Sequence, residues 1–433
     1  MKNNKIFQYV VMGAFIFFII IGAILFSTYR SNDRSEAQIS ITMWGTLPAD
    51  SFSAFISRYF SDNDLKYTVN YVEVDSDNFD RDLVEALASG YGPDAIILPE
   101  DLIVRYSNKV YSIPRTVLPE LSFKQTFIQE GELYLNNSGT MALPLSIDPL
   151  VMFWNRDMFN NMGITKPPVT WAEIASLVPK MTSKDQSQNI LRSTTALGEY
   201  RNIVNAKEIL SALLIQAGNQ IVNYNTDGSF ESILKDDFGL KVTPASLSLQ
   251  FYTNFSNPVR PEYSWNRSLI NSLDYFANGD LAIYFGFASE FVRIKDKNPN
   301  LNFDVALLPQ ALGAKTYSTF GNMLGLAIMR TSTDIAGTYT VLTSLTSAEA
   351  YPFWSEIFNL PSARRDVLSR KENNAIKTVF NQSAIMSKGW LDPNSTKTST
   401  IFQEMVESYT TGRESIDGAV NTASDQLDSI LGN

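Results

Sequence analysis

The longest apolar run in the chain comes first. Ile6 to Phe26 carries no charge and one strongly polar residue, Gln8. At about 1.5 Å per residue these 21 residues make a helix of roughly 31 Å, enough to cross a bilayer core. A cleaved signal peptide is the rival reading, but its apolar region is usually about 7–15 residues. The only fair small-residue cleavage pair is Ser35 with Ala37. The pattern therefore predicts residues 1–27 as a cytoplasmic tip and membrane anchor, with 28–38 as a polar tether. Lys2 and Lys5 precede the span, whereas Arg30 and Arg34 beyond it are offset by Asp33 and Glu36. That bias favours a cytoplasmic N-terminus and an extracytoplasmic body in the plasma membrane.

After the tether the period of the pattern changes repeatedly. Ile39 to Trp44 reads as a strand. Phe52, Phe55, Ile56 and Tyr59 share one helical face behind Pro48-Ala49-Asp50. Tyr67, Val69 and Tyr71 alternate like a strand. Asp75 to Asp77 can cap a helix with Leu83, Val84 and Leu87 on its stripe and Gly90 as its stop. Ala95 to Leu98 is a buried-strand run. Strand, helix, strand, helix, strand within some sixty residues predicts a parallel α/β sheet, with ligands beyond the carboxyl ends of its strands. Further on, Thr170 with Glu173 forms a capping-box signature, and Asn223 to Gly228 predicts a hairpin turn. Leu281 to Phe285, Phe303 to Leu308 and Leu324 to Met329 read as strands. From about Thr333 the chain reads as mostly helical.

Composition removes most chemistry. The 433 residues contain no His and no Cys. Triads, thiol nucleophiles, zinc-thiolate clusters and disulfides are excluded, as is a lipid attached to an N-terminal Cys. A net charge of −10 disfavours nucleic-acid binding. Asn223, Asn225, Asp227 and Gly228 match the start of a calcium loop, but its last ligand position is Leu234, so a turn is the better reading. No cofactor motif is present, and no metal site is predicted. Glu100, Asp101 and Asp148 leave a carboxylate glycosidase open as an alternative.

The segment PLSIDPLVMFWNRDMFNNMGITKPPVTWAEI resembles the signature of family 1 extracellular solute-binding proteins of ABC importers, the maltose-binding-protein-like group. ALASGYGPDAIILPEDLI (86–103), YFANGDLAIYFGFASEF (275–291) and NLPSARRDVL (359–368) agree with it. The resemblance implies a two-lobed periplasmic-binding-protein-like fold of class II type, with a hinge and a central cleft. It places lobe one at about 39–146 with 304–350 and lobe two at about 147–303 with 351–433. It also implies cleft positions: Trp44, Gly45 and Thr46 after the first strand, Glu100 and Asp101 after the third, and Ser146 and Asp148 on the hinge. Gly286 and Phe287 follow in the second lobe, with Trp265, Phe320, Asn322 and Arg364 beyond them. The implied protein is a monomer without enzymatic activity that passes a solute, a mono- or oligosaccharide, to ABC permease subunits. A ligand-sensing or surface-polymer-binding receptor of the same fold is the alternative. Relatives often use a lipid tether, and here the N-terminal helix would replace it.

Overall fold

A computed structural model describes residues 39–432. The expected anchor at Ile6–Phe26 lies outside them, and no helix among the described residues is long and apolar enough to cross a membrane. The chain opens with strand β1 (Ile39–Gly45), helix α1 (Ala49–Asp62), strand β2 (Tyr67–Glu73), helix α2 (Phe79–Ser89) and strand β3 (Ala95–Pro99). β1 lies between β2 and β3, parallel to both. The expected face of α1 is buried at Phe52, Phe55, Ile56 and Tyr59.

α2 differs from expectation at its start. Its N-cap is Asn78, and Asp75 instead accepts from the Asp77 N–H, closing the preceding turn. Val84 is exposed while Leu83 is buried, because only a narrow stripe of this short helix meets the sheet. Gly90 ends it at φ 77°, a left-handed position that favours glycine.

The central element is β4 (Leu143–Asn155), which belongs to both lobes. Its first part pairs antiparallel with β8 (Gly321–Ile328), from Leu143 opposite Leu326 to Pro149 opposite Gly321. From Leu150 it pairs instead with β6 (Leu281–Phe287). Pro149 stands where the partner changes, so its missing N–H removes no bond from an interior ladder. β5 (Ile190–Thr195) lies beyond β6, and β7 (Phe303–Ala306) pairs with β4 at Met152 to Asn155. The sheet of nine strands thus runs β2-β1-β3-β8-β4-β6-β5 to the edge pair Ser183–Lys184, with β7 beside β4.

Cores form on either side of this crossing. One lobe packs Ile41, Met43, Phe52, Phe55, Leu326, Leu342 and Trp354 together. The other packs Phe153, Trp171, Leu210, Trp265, Phe276 and Phe402. Two segments pack differently from the division expected at 304 and 351. Val305 and Leu308 belong to the second core, because β7 hydrogen-bonds to the second-lobe part of β4. Helix Tyr351–Phe358 packs on α1, edge-on between Trp354 and Phe55 at 5.4 Å, and so joins the first core. Thr170 and Glu173 form the predicted capping box at the start of helix α3 (Trp171–Met181), and 222–232 forms the predicted hairpin.

Candidate functional site

The crossing strands bring one set of predicted residues together. Asp148 stands opposite Asn322 in the β4–β8 ladder, at the last pairs before the strand changes lobe. Its carboxylate accepts from the Ser289 N–H at 3.0 Å. Ser289 precedes helix α5 (Glu290–Lys297), which follows directly from the Gly286-Phe287 end of β6. Phe287 lies opposite Leu150, and its ring is 6.4 Å from that of Phe320. Burial pushes the Asp148 carboxyl up to about 7 against the Ser289 bonds, and the nearby Glu290 adds to the rise. Gly286 has no room for a side chain: a Cβ there would stand 2.5 Å from the Tyr284 ring and 2.9 Å from Glu290. Glu290 is held by Asn205 at 2.9 Å and by the Tyr284 hydroxyl.

A second, charged set lies on the second lobe and faces Asp101 of the first. Lys207, at the start of helix α4 (Ala206–Gln216), pairs with Asp392 at 2.9 Å, both nearly buried. Its ammonium also donates to Ser395 Oγ at 2.8 Å. Asp392 further accepts from the Thr398 hydroxyl and the Asn394 N–H. Burial works against the Lys207 charge, but Asp392, Glu208 and Asp101 together outweigh it and the pKa is raised. Asp101, from the first lobe, faces this pair. Burial raises its carboxyl, Asp392 adds to the rise, and Lys207 and Ser395 oppose it.

Between the lobes lies a cavity of about 90 Å³ lined by Ile103, Leu133, Met141, Tyr224, Phe230 and Leu391, among others. Tyr224 and Phe230 sit opposite each other in the 222–232 hairpin with rings 5.0 Å apart. The hairpin reaches the first lobe where Asn137 Nδ2 donates to the Thr226 carbonyl at 3.4 Å. Gly228, at φ 90°, makes the turn, and Asp227 accepts from the Ser229 N–H. The calcium-loop residues are thus the tip of an interlobe contact. Among the described residues no group of three or more acids is placed to hold a metal.

The remaining predicted positions are scattered. Glu100 is buried below β8 and accepts from the Met323 N–H at 3.2 Å. Ser146, opposite Leu324, is buried and its hydroxyl has no protein partner. Trp44 rests half-buried on the first-lobe core, Gly45 is packed against Ile97 and Tyr71, and Thr46 is exposed. Trp265 is fully buried in the second core and donates to Asn202 Oδ1 at 3.1 Å, which leaves it no free face. Arg364 is occupied by Asp366 at 2.9 and 3.0 Å and lies over the Phe127 ring. Sequence reasoning missed Lys207 with Asp392 and Ser395, which lie 185 and 188 positions further along the chain and meet it only in the fold. The Asp392-Pro393-Asn394-Ser395 run did carry a helix-start signal, and Asn394 is indeed the N-cap of Ser395–Thr410.

Comparison with known proteins places this geometry. A family model described as bacterial extracellular solute-binding protein matches residues 45–352. A binding protein of Brucella abortus (strain 2308) is 22% identical over 167 residues, 38% of this chain, and the match spans only 40% of that relative's length. Among solved structures, a cyclo/maltodextrin-binding protein complexed with maltotetraose is similar at TM-score 0.72 and 15% identity, over 92% of this chain and 98% of its own. The sugar-binding protein MalE from Xanthomonas citri is similar at TM-score 0.73 and 16% identity, over 91% and 97%. At these identities the likeness establishes the two-lobed fold.

Proposed function

Because the chain belongs to the bacterial extracellular solute-binding proteins, we propose that its interlobe cleft captures a carbohydrate outside the membrane and delivers it to an ABC importer. The observation that carries this reading is the mixed lining where the strands cross. Asp148 and Asn322 face each other across the β4–β8 ladder, where Phe287 and Phe320 lie 6.4 Å apart, and Tyr224 and Phe230 line the interlobe cavity. Sugars present apolar C–H faces that pack on rings, and hydroxyls that bond to carboxylates and amides. The cyclo/maltodextrin-binding protein, solved with maltotetraose, supports the same class of solute.

In this reading Ile6–Phe26 anchors the protein in the plasma membrane, and residues 28–38 tether a monomeric body that meets permease subunits. The division of the lobes follows their cores. The second lobe keeps β7 and the chain to about residue 318, and the first keeps helix α6 (Tyr351–Phe358). Ligand binds by drawing the lobes together, since the closed form gains contacts from both. The test is a thermal-shift panel of mono- and oligosaccharides on the chain lacking residues 1–37. One or more sugars should raise the melting temperature with a concentration dependence set by mass action. A panel without any shift would refute the carbohydrate assignment.

A further inference from the structure

The interlobe cavity has a chemistry of its own. Two hairpins wall it, one from each lobe. Leu135 and Asn136 come from the first-lobe hairpin in which Leu135 pairs with Thr140. Tyr224, Gly228 and Phe230 come from the 222–232 hairpin of the second lobe. The two tips meet where Asn137 donates to the Thr226 carbonyl, so the cavity is complete only while the lobes are together.

None of the lining side chains is charged. The polar ones are engaged, with one exception. Ser107 Oγ donates to the Val104 carbonyl at 2.9 Å. Asn136 donates to Ser112 Oγ at 3.0 Å, and its Oδ1 accepts from the Ser138 and Gly139 N–H groups. The Tyr224 hydroxyl makes no hydrogen bond among the described residues. A Cβ at Gly228 would stand 3.7 Å from that hydroxyl, so the glycine of the turn leaves it uncovered on that side.

Size and chemistry together select the occupant. The cavity measures about 90 Å³. A cavity of about 150 Å³ admits a benzene ring, so this one takes a smaller group. A carboxylate or sulfate would find no cation in the lining, and an ammonium would find no carboxylate; either burial is costly. A plain sugar hydroxyl would exchange water for apolar walls and a single partner. An acetyl group matches both features. Its methyl packs against Ile103, Leu133, Met141 and Leu391, and its carbonyl oxygen accepts from the Tyr224 O–H. The cavity also adjoins the charged set along two stretches of chain: Ile103 lies two residues after Asp101, and Leu391 directly precedes Asp392.

We propose that the solute is an acetylated sugar, and that its acetyl group enters this cavity and bonds to Tyr224 when the lobes close. The proposal rests on the carbohydrate reading above and narrows it.

The test is isothermal titration calorimetry on the full-length chain, held in a detergent without a sugar headgroup. Matched pairs are compared: N-acetylglucosamine with glucose, N,N′-diacetylchitobiose with cellobiose, and 6-O-acetylglucose with glucose. The last pair separates an O-acetyl from an N-acetyl group. At least one acetylated member should bind about tenfold or more tighter than its parent sugar. Tyr224→Phe keeps the ring and should cut that preference roughly three- to tenfold, the worth of one hydrogen bond. Leu135→Trp fills the cavity from a half-buried position and should remove the preference, with a cooperative melting transition showing that the variant is folded. An unacetylated sugar bound as tightly as its acetylated partner overturns the proposal and leaves the carbohydrate reading intact. A preference that both variants leave unchanged overturns it too, because the acetyl group then lies elsewhere. Failure of every acetylated sugar to bind also overturns it, and the wider thermal-shift panel then decides the carbohydrate reading separately.

Discussion

Lys207→Met tests the ionic contact at the cleft. The substitution keeps the length and apolar volume of the side chain but removes the ammonium that pairs with Asp392 at 2.9 Å. Asp392 then remains buried with hydrogen bonds from Thr398 at 2.8 and 3.0 Å and from the Asn394 N–H at 2.9 Å. Removing one partner of a buried pair typically costs about 3–5 kcal/mol. The two surviving donors, the Thr398 hydroxyl shared between both oxygens and the Asn394 N–H, place this case at the lower end, about 3 kcal/mol. Asp101 works against rescue, because its charge now faces Asp392 without a cation between them. The assay is urea unfolding followed by fluorescence, comparing Lys207→Met, Asp392→Leu and the double variant. The double variant should recover most of the loss, since replacing both partners removes the uncompensated charge. A loss below about 1 kcal/mol in Lys207→Met, the range of an exposed pair, would refute the claim that this pair is desolvated.

Other outcomes follow from the same geometry. Asp148 titrates near 7 when folded, against 3.8 ordinarily, so it favours folding fully only below about pH 3.8, and that contribution is lost as pH rises through 7. Asp148→Asn should therefore flatten the dependence of melting temperature on pH between 4 and 7, and an unchanged slope would place the titration elsewhere. Trp265→Ala should destabilise by about 3–5 kcal/mol, the cost of an aromatic core deletion. In a chain kept folded at low temperature it should leave affinity for a solute found in the panel unchanged, as binding titration would show. Thr170→Ala removes the cap from α3 and should cost about 1 kcal/mol in chemical denaturation.

Much of the first lobe was legible because its signals are local. The apolar stripe of α1, the Gly90 stop and the Ala95–Leu98 run each need only a few neighbouring residues, and the parallel order of β1, β2 and β3 follows from their spacing. Capping chemistry was equally local at Thr170 and Glu173. What failed was whatever depends on distant chain. The 304 and 351 divisions rest on which half of β4 a strand chooses, and no pattern within Phe303–Ala306 encodes that. Trp265 is an aromatic in a loop by sequence but is enclosed by Tyr275, Asn202 and the second core in space. Asp148 with Asn322 was readable on the hinge, whereas Lys207 with Asp392, and Glu100 with Glu130, become partners only after the crossings are laid side by side.

The claim that solute is held between the lobes is tested most directly by hydrogen–deuterium exchange with and without a stabilising sugar. The account predicts slowed exchange on both sides of the crossing. Residues 100–103 and 320–323 should respond from one side, and residues 205–208, 286–290 and 392–395 from the other. Slowed exchange confined to one lobe, or to surfaces away from the crossing strands, would contradict it.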